Sequence, residues 1–333
     1  MFCGFSEDQA TGDSGSLPEA GPPSPQRFSE PSTLASPEVA ETRRLRLADD
    51  CLILAGPTAA GKTAIALPLA RRLNAEIVSV DSMAVYRTLD IGTAKPSAAD
   101  RQEIRHHAID LVNPSETFSV AAWLAEAARA VDGIRQRGHR VLFVGGTPLY
   151  LKALRDGLAD GPAADPELRA RLADRLKQEG SSTLHRELAR LSPEAAARIH
   201  PNDGRRIIRG IEVATASPAA QLSRPHWGSK EKASAATMLI VDVPRKLLGE
   251  RIAQRVRRMF DNGLVEEVQA AENAGGMSLT ARQAAGYGEV LELLAGRLSR
   301  AEAVEKTILR TRQLAKRQRT WLRSFRDAVW ICG

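Results

Sequence analysis

Only three cysteines occur in the 333 residues, and Cys3, Cys51 and Cys332 share neither metal-ligand nor disulfide spacing. A disulfide-stapled scaffold and a cysteine zinc site are therefore excluded, and a reduced, cytoplasmic setting is expected. No run of about 18 apolar residues exists, so no membrane-spanning helix is expected. The first residues lack a basic segment followed by an apolar block, so a signal peptide is not expected either. Residues 1–48 are instead rich in Ser, Pro, Gly and Glu and almost without apolar periodicity, which reads as a disordered tail. One absence bears on chemistry. The apolar run ending at Val144 has no Asp or Glu after it, where many nucleotide hydrolases and kinases keep a magnesium-holding carboxylate.

The length suffices for two domains with sizeable cores, and the formal charge of +7 permits a polyanionic partner. The strongest local signal runs from Cys51 to Leu73. An apolar strand-like stretch leads into Gly56-Pro57-Thr58-Ala59-Ala60-Gly61-Lys62-Thr63, which fits G-x-x-x-x-G-K-[ST], and a helix-like stretch follows. Gly56 and Gly61 allow backbone conformations that let successive N–H groups converge on one anion. Lys62 adds a positive charge, and the Thr63 hydroxyl can meet a magnesium ion. The loop reports a polyphosphate without naming what carries it.

Ile77 to Val80 reads as a buried parallel strand, which puts Asp81 at its carboxyl end beside the phosphate loop. A carboxylate there can hold magnesium, take a proton or cap the next turn. A loop from Asp90 to Pro96 follows, then His106-His107 at a strand start. Adjacent strand residues point to opposite faces, so these histidines cannot chelate one ion and are read as mainly structural. Phe118 to Arg137 has helical periodicity. The strand Arg140 to Val144 then opens into Gly145-Gly146-Thr147, a second glycine turn facing the same crevice. The β-α-β-α order predicts an α/β fold with a parallel sheet flanked by helices.

Residues 157–235 lack strands and read as a helical module inserted between residues 49–156 and 236–333. Asp165-Pro166-Glu167 is a helix start. Near the end of the module Arg205 and Arg209 lie four apart, with Ile207 and Ile208 turned inward. Arg251 to Val268 reads as one helix, with Arg251 and Arg255 four apart. Ser299-Arg300-Ala301-Glu302 is a capping box for a last helix. There Arg312, Lys316, Arg319 and Arg323 form a basic stripe, with Leu314, Trp321 and Phe325 expected to pack opposite.

From Leu52 to Trp330 the chain resembles the tRNA dimethylallyltransferases, also called tRNA isopentenyltransferases. The resemblance rests on Gly56 to Thr63, Asp81-Ser82-Met83, Asp90 to Pro96, Gly145-Gly146-Thr147, Arg198 to Asp203 and Arg312 to Gln318. It implies transfer of a five-carbon group from dimethylallyl diphosphate to the exocyclic amine of the adenosine 3′ of the anticodon, in tRNAs reading codons that begin with U. Gly56, Pro57, Thr58, Ala59, Ala60, Gly61, Lys62 and Thr63 would then hold the diphosphate, with Mg2+ near Thr63. Asp81 would be the catalytic carboxylate, and Thr147 and Arg255 would stand beside the diphosphate. For tRNA the resemblance implies Asp81, Ser82, Met83, Ala84, Thr147, Arg169, Arg205, Arg206, Ile207, Ile208 and Arg209. It adds Gln283, Ala284, Ala285, Gly286, Tyr287 and Gly288, and then Lys316, Arg317, Gln318, Arg319, Thr320, Trp321, Leu322 and Arg323. The acceptor base would flip out of its stack to reach the diphosphate.

The chain looks like the bacterial form, without the zinc finger of eukaryotic relatives, and is expected to act as a monomer. It departs from the family at Ala60, Ala84, Pro148 and Gly288. Ala60 still offers a backbone N–H; Ala84 and Gly288 each remove a polar contact; Pro148 removes a donor. Two other classes remain open on sequence: a P-loop kinase or NTPase of small molecules, and a non-catalytic RNA-binding module.

Overall fold

The computed structural model describes residues 45, 47–158, 162, 165–216 and 236–333. Residues 1–44 and 46 of the tail lie outside the described residues, but Leu45 and Leu47 are buried in the main core, so the boundary read at residue 48 falls too late. The described residues all belong to one compact unit spanning residues 37–333.

Six strands form one parallel sheet: β1 Cys51–Ala55, β2 Ala75–Val80, β3 His106–His107, β4 Arg140–Gly145, β5 Thr237–Asp242 and β6 Val329–Cys332, in the order β3-β2-β4-β1-β5-β6. The central strands are near-continuous apolar runs because helices cover both faces, as a parallel sheet requires. The helices of the first half are α1 Lys62–Leu73, α2 Ala98–Glu103, α3 Val120–Gln136 and α4 Pro148–Asp156. Ser119 caps α3 by accepting the Ala122 N–H. Trp123 on α3 is fully buried, donates its indole N–H to the Ser79 carbonyl at 3.0 Å and stacks on Tyr150 at 4.5 Å between centroids. That contact fixes α3 and α4 over the end of β2.

Between β4 and β5 come four helices, α5 Pro166–Glu179, α6 Ser181–Leu191, α7 Pro193–Arg198 and α8 Gly204–Ala216. Asp165 caps α5 as its position before Pro166 predicts. The four share a small core of Leu172, Leu184, Leu188, Ala195, Ala196, Ile207 and Ile211, separate from the core under the sheet.

The second half carries α9 Arg245–Asp261, α10 Leu264–Asn273, a 3-10 turn at Ala281–Gln283, α11 Tyr287–Leu294 and α12 Arg300–Leu322. Two expectations change here. The helix read over Arg251 to Val268 is two, broken where Gly263 takes φ 100°. On α12 the buried line is Thr307, Thr311, Ala315, Gln318 and Leu322, while Trp321 is 40% exposed. The basic stripe therefore borders the packed face instead of opposing it. Small and polar residues make that packed face, so hydrophobic periodicity does not reveal it. The Ser299 and Glu302 capping box forms as expected.

Candidate active site

Ala55 of β1 and Val80 of β2 both pair with Gly145 of β4, so three strand ends finish at one level. The turns leaving them face a single crevice of about 440 Å³ at the carboxyl edge of the sheet. Glycine is obligatory there. A Cβ on Gly145 would lie 2.1 Å from the Val80 carbonyl oxygen, and one on Gly146 would lie 2.5 Å from that of Gly56. The second glycine turn thus rests directly on the phosphate loop.

Within the loop, Ala59 and Gly61 both have left-handed backbones, at φ 62° and 91°, which turn the chain into α1. Ala60 is buried, and its N–H closes a turn on the Pro57 carbonyl at 3.3 Å, so the residue does not offer the crevice the donor expected of it. Lys62 Nζ donates to the carbonyls of Gly56 at 3.0 Å and Pro57 at 2.8 Å. Burial pushes its pKa from 10.5 down to about 8, with Asp81 opposing the shift and Arg255 adding to it. Arg255 is likewise disfavoured by burial and supported by Asp81. One carboxylate faces two desolvated cations.

Asp81 lines the crevice with one of its three readings already realised: Oδ1 accepts the Met83 N–H at 2.8 Å. Thr147 lies just outside the lining and braces the two turns, its hydroxyl accepting the Ser82 N–H at 3.0 Å. Pro148 is the first residue of α4, where an N–H would have no helical partner, so the donor it lacks is of little consequence. His106 lines the crevice with Nδ1 2.7 Å from the Ile104 carbonyl, and burial lowers its pKa. His107 turns away to Glu76 at 2.6 Å. The structural reading thus fits His107, while His106 reaches the site.

The opposite wall is basic. Arg251, Arg255 and Arg258 of α9 line it at helical spacing, with Thr93 to Pro96 beside them. Arg258 is absent from the sequence reading, although its position seven residues after Arg251 repeats the same helix face. Gln318 is the other surprise. Expected to meet RNA, it is buried and accepts the Thr58 N–H at 2.9 Å while donating to the Gly146 carbonyl at 2.8 Å. It ties α12 to both glycine turns.

The remaining RNA candidates divide by exposure. Ile207, Ala284, Tyr287 and Leu322 are buried away from the crevice, so their side chains are unavailable to a ligand, whereas Ala84, also buried, lines the crevice beside Asp81. Ile208 packs at the edge of the small core. Arg169 and Arg209 both bind Glu212, which is 1% exposed and also accepts the Asp165 N–H. Burial alone would raise the Glu212 pKa, but these donors hold it below its ordinary value. Arg205 reaches across to Gln283 at 3.1 Å, bringing the inserted helices and the 283–288 segment together. Arg206 pairs loosely with Asp203 at 3.4 Å. Beside Gly288 the Arg310 guanidinium fills the space, 3.1 Å from where a Cβ would stand, and pairs with Glu289 at 3.1 Å. Lys316, Arg317 and Arg323 are exposed, whereas Arg319 is held by Asp242 at 2.9 Å.

Fold and crevice together define a P-loop α/β enzyme with a basic cleft and a single carboxylate at its centre. The profile of the family described as IPP transferase matches residues 84–325, and that described as isopentenyl transferase matches residues 50–114. A tRNA dimethylallyltransferase from Geobacter metallireducens is 44% identical over 283 residues, which cover 84% of this chain and 91% of that protein. The crystal structure of a full-length tRNA isopentenylpyrophosphate transferase from Bacillus halodurans superposes with a TM-score of 0.62 at 36% identity, covering 86% of this chain and 90% of that one. A eukaryotic dimethylallyltransferase acting on tRNA gives a TM-score of 0.68 at 26% identity, over 85% of this chain and 73% of that one. The chain belongs to the IPP transferase family and is a transferase.

Proposed function

We propose that this enzyme moves a dimethylallyl group from dimethylallyl diphosphate to the exocyclic N6 amine of the adenosine just 3′ of the anticodon, in tRNAs reading codons that begin with U. The observation that carries the reading is the charge pattern of the crevice. Lys62 and Arg255, both desolvated, face one carboxylate beside a phosphate loop, and β4 ends in glycine without a second acid. Such a site suits an anionic leaving group better than hydrolysis of a nucleotide. Labelled prenyl incorporation into tRNA, measured beside phosphate release from ATP, tests it.

In the reaction the amine nitrogen bonds to the prenyl C1 as the C1–O bond breaks, and the electron pair leaves with the diphosphate. An adenine amine is almost non-basic, so it must shed a proton as it attacks; Asp81, a carboxylate that lines the crevice, would take it. The phosphate loop, Lys62 and Arg255 stabilise the charge that grows on the departing oxygen. Magnesium fits the hard oxygen donors at hand. Among the described residues no cluster of three or more His, Cys, Asp or Glu could hold a metal unaided, so Thr63 would hold Mg2+ together with diphosphate oxygens. When bound, the ion neutralises leaving-group charge.

The tRNA anticodon stem-loop is proposed to lie along the inserted helices, the 283–288 segment and the exposed cations of α12. Its affinity is expected to fall steeply with salt, and neutralising Lys316 or Arg323 should shallow the log–log slope by about one unit each. Filter binding across a salt series checks this; unchanged slopes in both variants would leave those cations as a solvated face only.

Lys62 gives a pH prediction. The free ammonium loses its proton near pH 8, whereas a bound diphosphate favours the charged form. Binding above that pH must then take up a proton, and affinity should fall by up to about tenfold per pH unit until the pKa of the complex is reached. Calorimetry at pH 9 in buffers of differing ionisation heat measures the uptake directly. No uptake would remove Lys62 from the diphosphate site.

A further inference from the structure

The loop from Asp90 to Pro96 supplies part of the crevice wall, yet it has no regular secondary structure to hold it. Its anchor is a carboxylate from α10, about 175 residues further along the chain. Glu267 Oε2 accepts the N–H groups of Asp90 at 2.6 Å and Ile91 at 2.7 Å. Oε1 accepts the Gly92 N–H at 3.1 Å and the Tyr287 hydroxyl at 2.7 Å. Three successive backbone donors converging on one anion form a nest, here filled by a side chain of the protein itself.

Tyr287 completes the latch. It is 0% exposed, and its ring lies so close to Gly92 that a Cβ there would be 2.4 Å from the ring carbon Cε2. The family resemblance implies Tyr287 as an RNA contact, but its hydroxyl is engaged by Glu267. One residue beyond the nest, the Thr93 carbonyl accepts from the Arg255 guanidinium at 3.4 Å. Lys95, whose side chain is 1% exposed, is fixed between Asp90 at 2.7 Å and Asp110 at 2.5 Å. The wall is therefore pinned at both ends, and its Glu267 end sets the carbonyl that orients Arg255.

We infer that Glu267, with Tyr287 behind it, is a positioning residue for prenyl transfer: by holding the Asp90–Gly92 nest it fixes the crevice wall that aims Arg255 at the diphosphate. Glu267 is not among the residues that line the crevice, and the inference rests on the proposed diphosphate site. Charge-assisted bonds from three backbone donors are strong and directional, so their loss lets the loop drift rather than unfold the sheet. A displacement of about 1 Å at a positioning contact can cost on the order of 10²-fold in rate.

The test compares wild type with Glu267→Ala and Tyr287→Phe, measuring inorganic diphosphate binding by calorimetry, anticodon stem-loop binding by filter assay, and steady-state kinetics. Glu267→Ala is expected to lose roughly 10- to 100-fold in diphosphate affinity and in kcat/KM for the prenyl donor. Stem-loop affinity should stay within about twofold. Added formate should occupy the vacated nest and restore much of the loss, which a merely structural defect would not allow. Tyr287→Phe leaves the three N–H bonds intact and should give a smaller loss of the same kind; it carries the test if Glu267→Ala does not fold. Equal loss of both affinities without formate rescue, or diphosphate binding unchanged in the variants, overturns the inference. If wild type itself does not bind diphosphate, the proposed function fails first.

Discussion

Asp81→Asn is expected to lower prenyl transfer by about 10²- to 10⁴-fold, the usual worth of a positioned general base. The substitution is nearly silent in structure. An asparagine oxygen can still accept the Met83 N–H, the hydrogen bond that the Asp81 side chain makes within its own turn, so the crevice should keep its shape. Its electrostatic effects on diphosphate binding oppose each other. Removing the carboxylate relieves repulsion of the incoming anion, but it also withdraws the one charge that supports Lys62 and Arg255 in their ionised forms. Binding of diphosphate and of stem-loop should therefore change little beside the loss of turnover. Single-turnover measurements at saturating concentrations of both substrates isolate the step. Near wild-type turnover in this variant would mean that the proton leaves by another route and that Asp81 serves only to cap its turn.

The parts of this site that were legible in the sequence are those with a local signature. The phosphate loop, the apolar runs of β1, β2 and β4, Asp81 at a strand end and the capping boxes each follow from a few neighbouring residues and a fixed period. What escaped is carried by contacts between distant segments. Gln318 meets Thr58 across 260 positions, and Glu267 meets Asp90 across 177. Neither carries a pattern of its own: a glutamine within a basic helix and a glutamate on a surface helix read as solvated residues. The packed face of α12 was hidden for the same reason, since Thr307, Thr311 and Ala315 seat it through close approach rather than apolar bulk. Resemblance to the family supplied the RNA candidates residue by residue, but burial decides which of their side chains can take that role. Tyr287 and Gln318 brace the crevice, Ile207 and Leu322 fill cores, and Arg205, Lys316 and Arg323 remain available to a polyanion.

The second large effect concerns what the phosphate loop holds. Lys62→Ala should abolish measurable prenyl transfer, because Lys62 is the cation rooted in the loop itself and no neighbour on α1 can replace it. Its ammonium, now bridging the Gly56 and Pro57 carbonyls, is within the same short stretch as the N–H groups that would receive the diphosphate. Stabilising an oxyanion with a preorganised donor is typically worth about 3 kcal/mol or more, and here the anion is the leaving group. The same site should show no tRNA-stimulated ATP hydrolysis in the wild type. β4 runs out into Gly145-Gly146-Thr147, leaving Asp81 as the single carboxylate at the crevice floor, and that residue is committed on one oxygen to Met83. A hydrolytic centre would need a further acid to hold magnesium and orient water. Phosphate release from ATP, followed alongside labelled prenyl incorporation into tRNA, separates the two chemistries in one experiment. Incorporation without hydrolysis, lost in Lys62→Ala, is the expected pattern; hydrolysis without incorporation would make the phosphate loop a nucleotide site and return the chain to the kinase or NTPase reading.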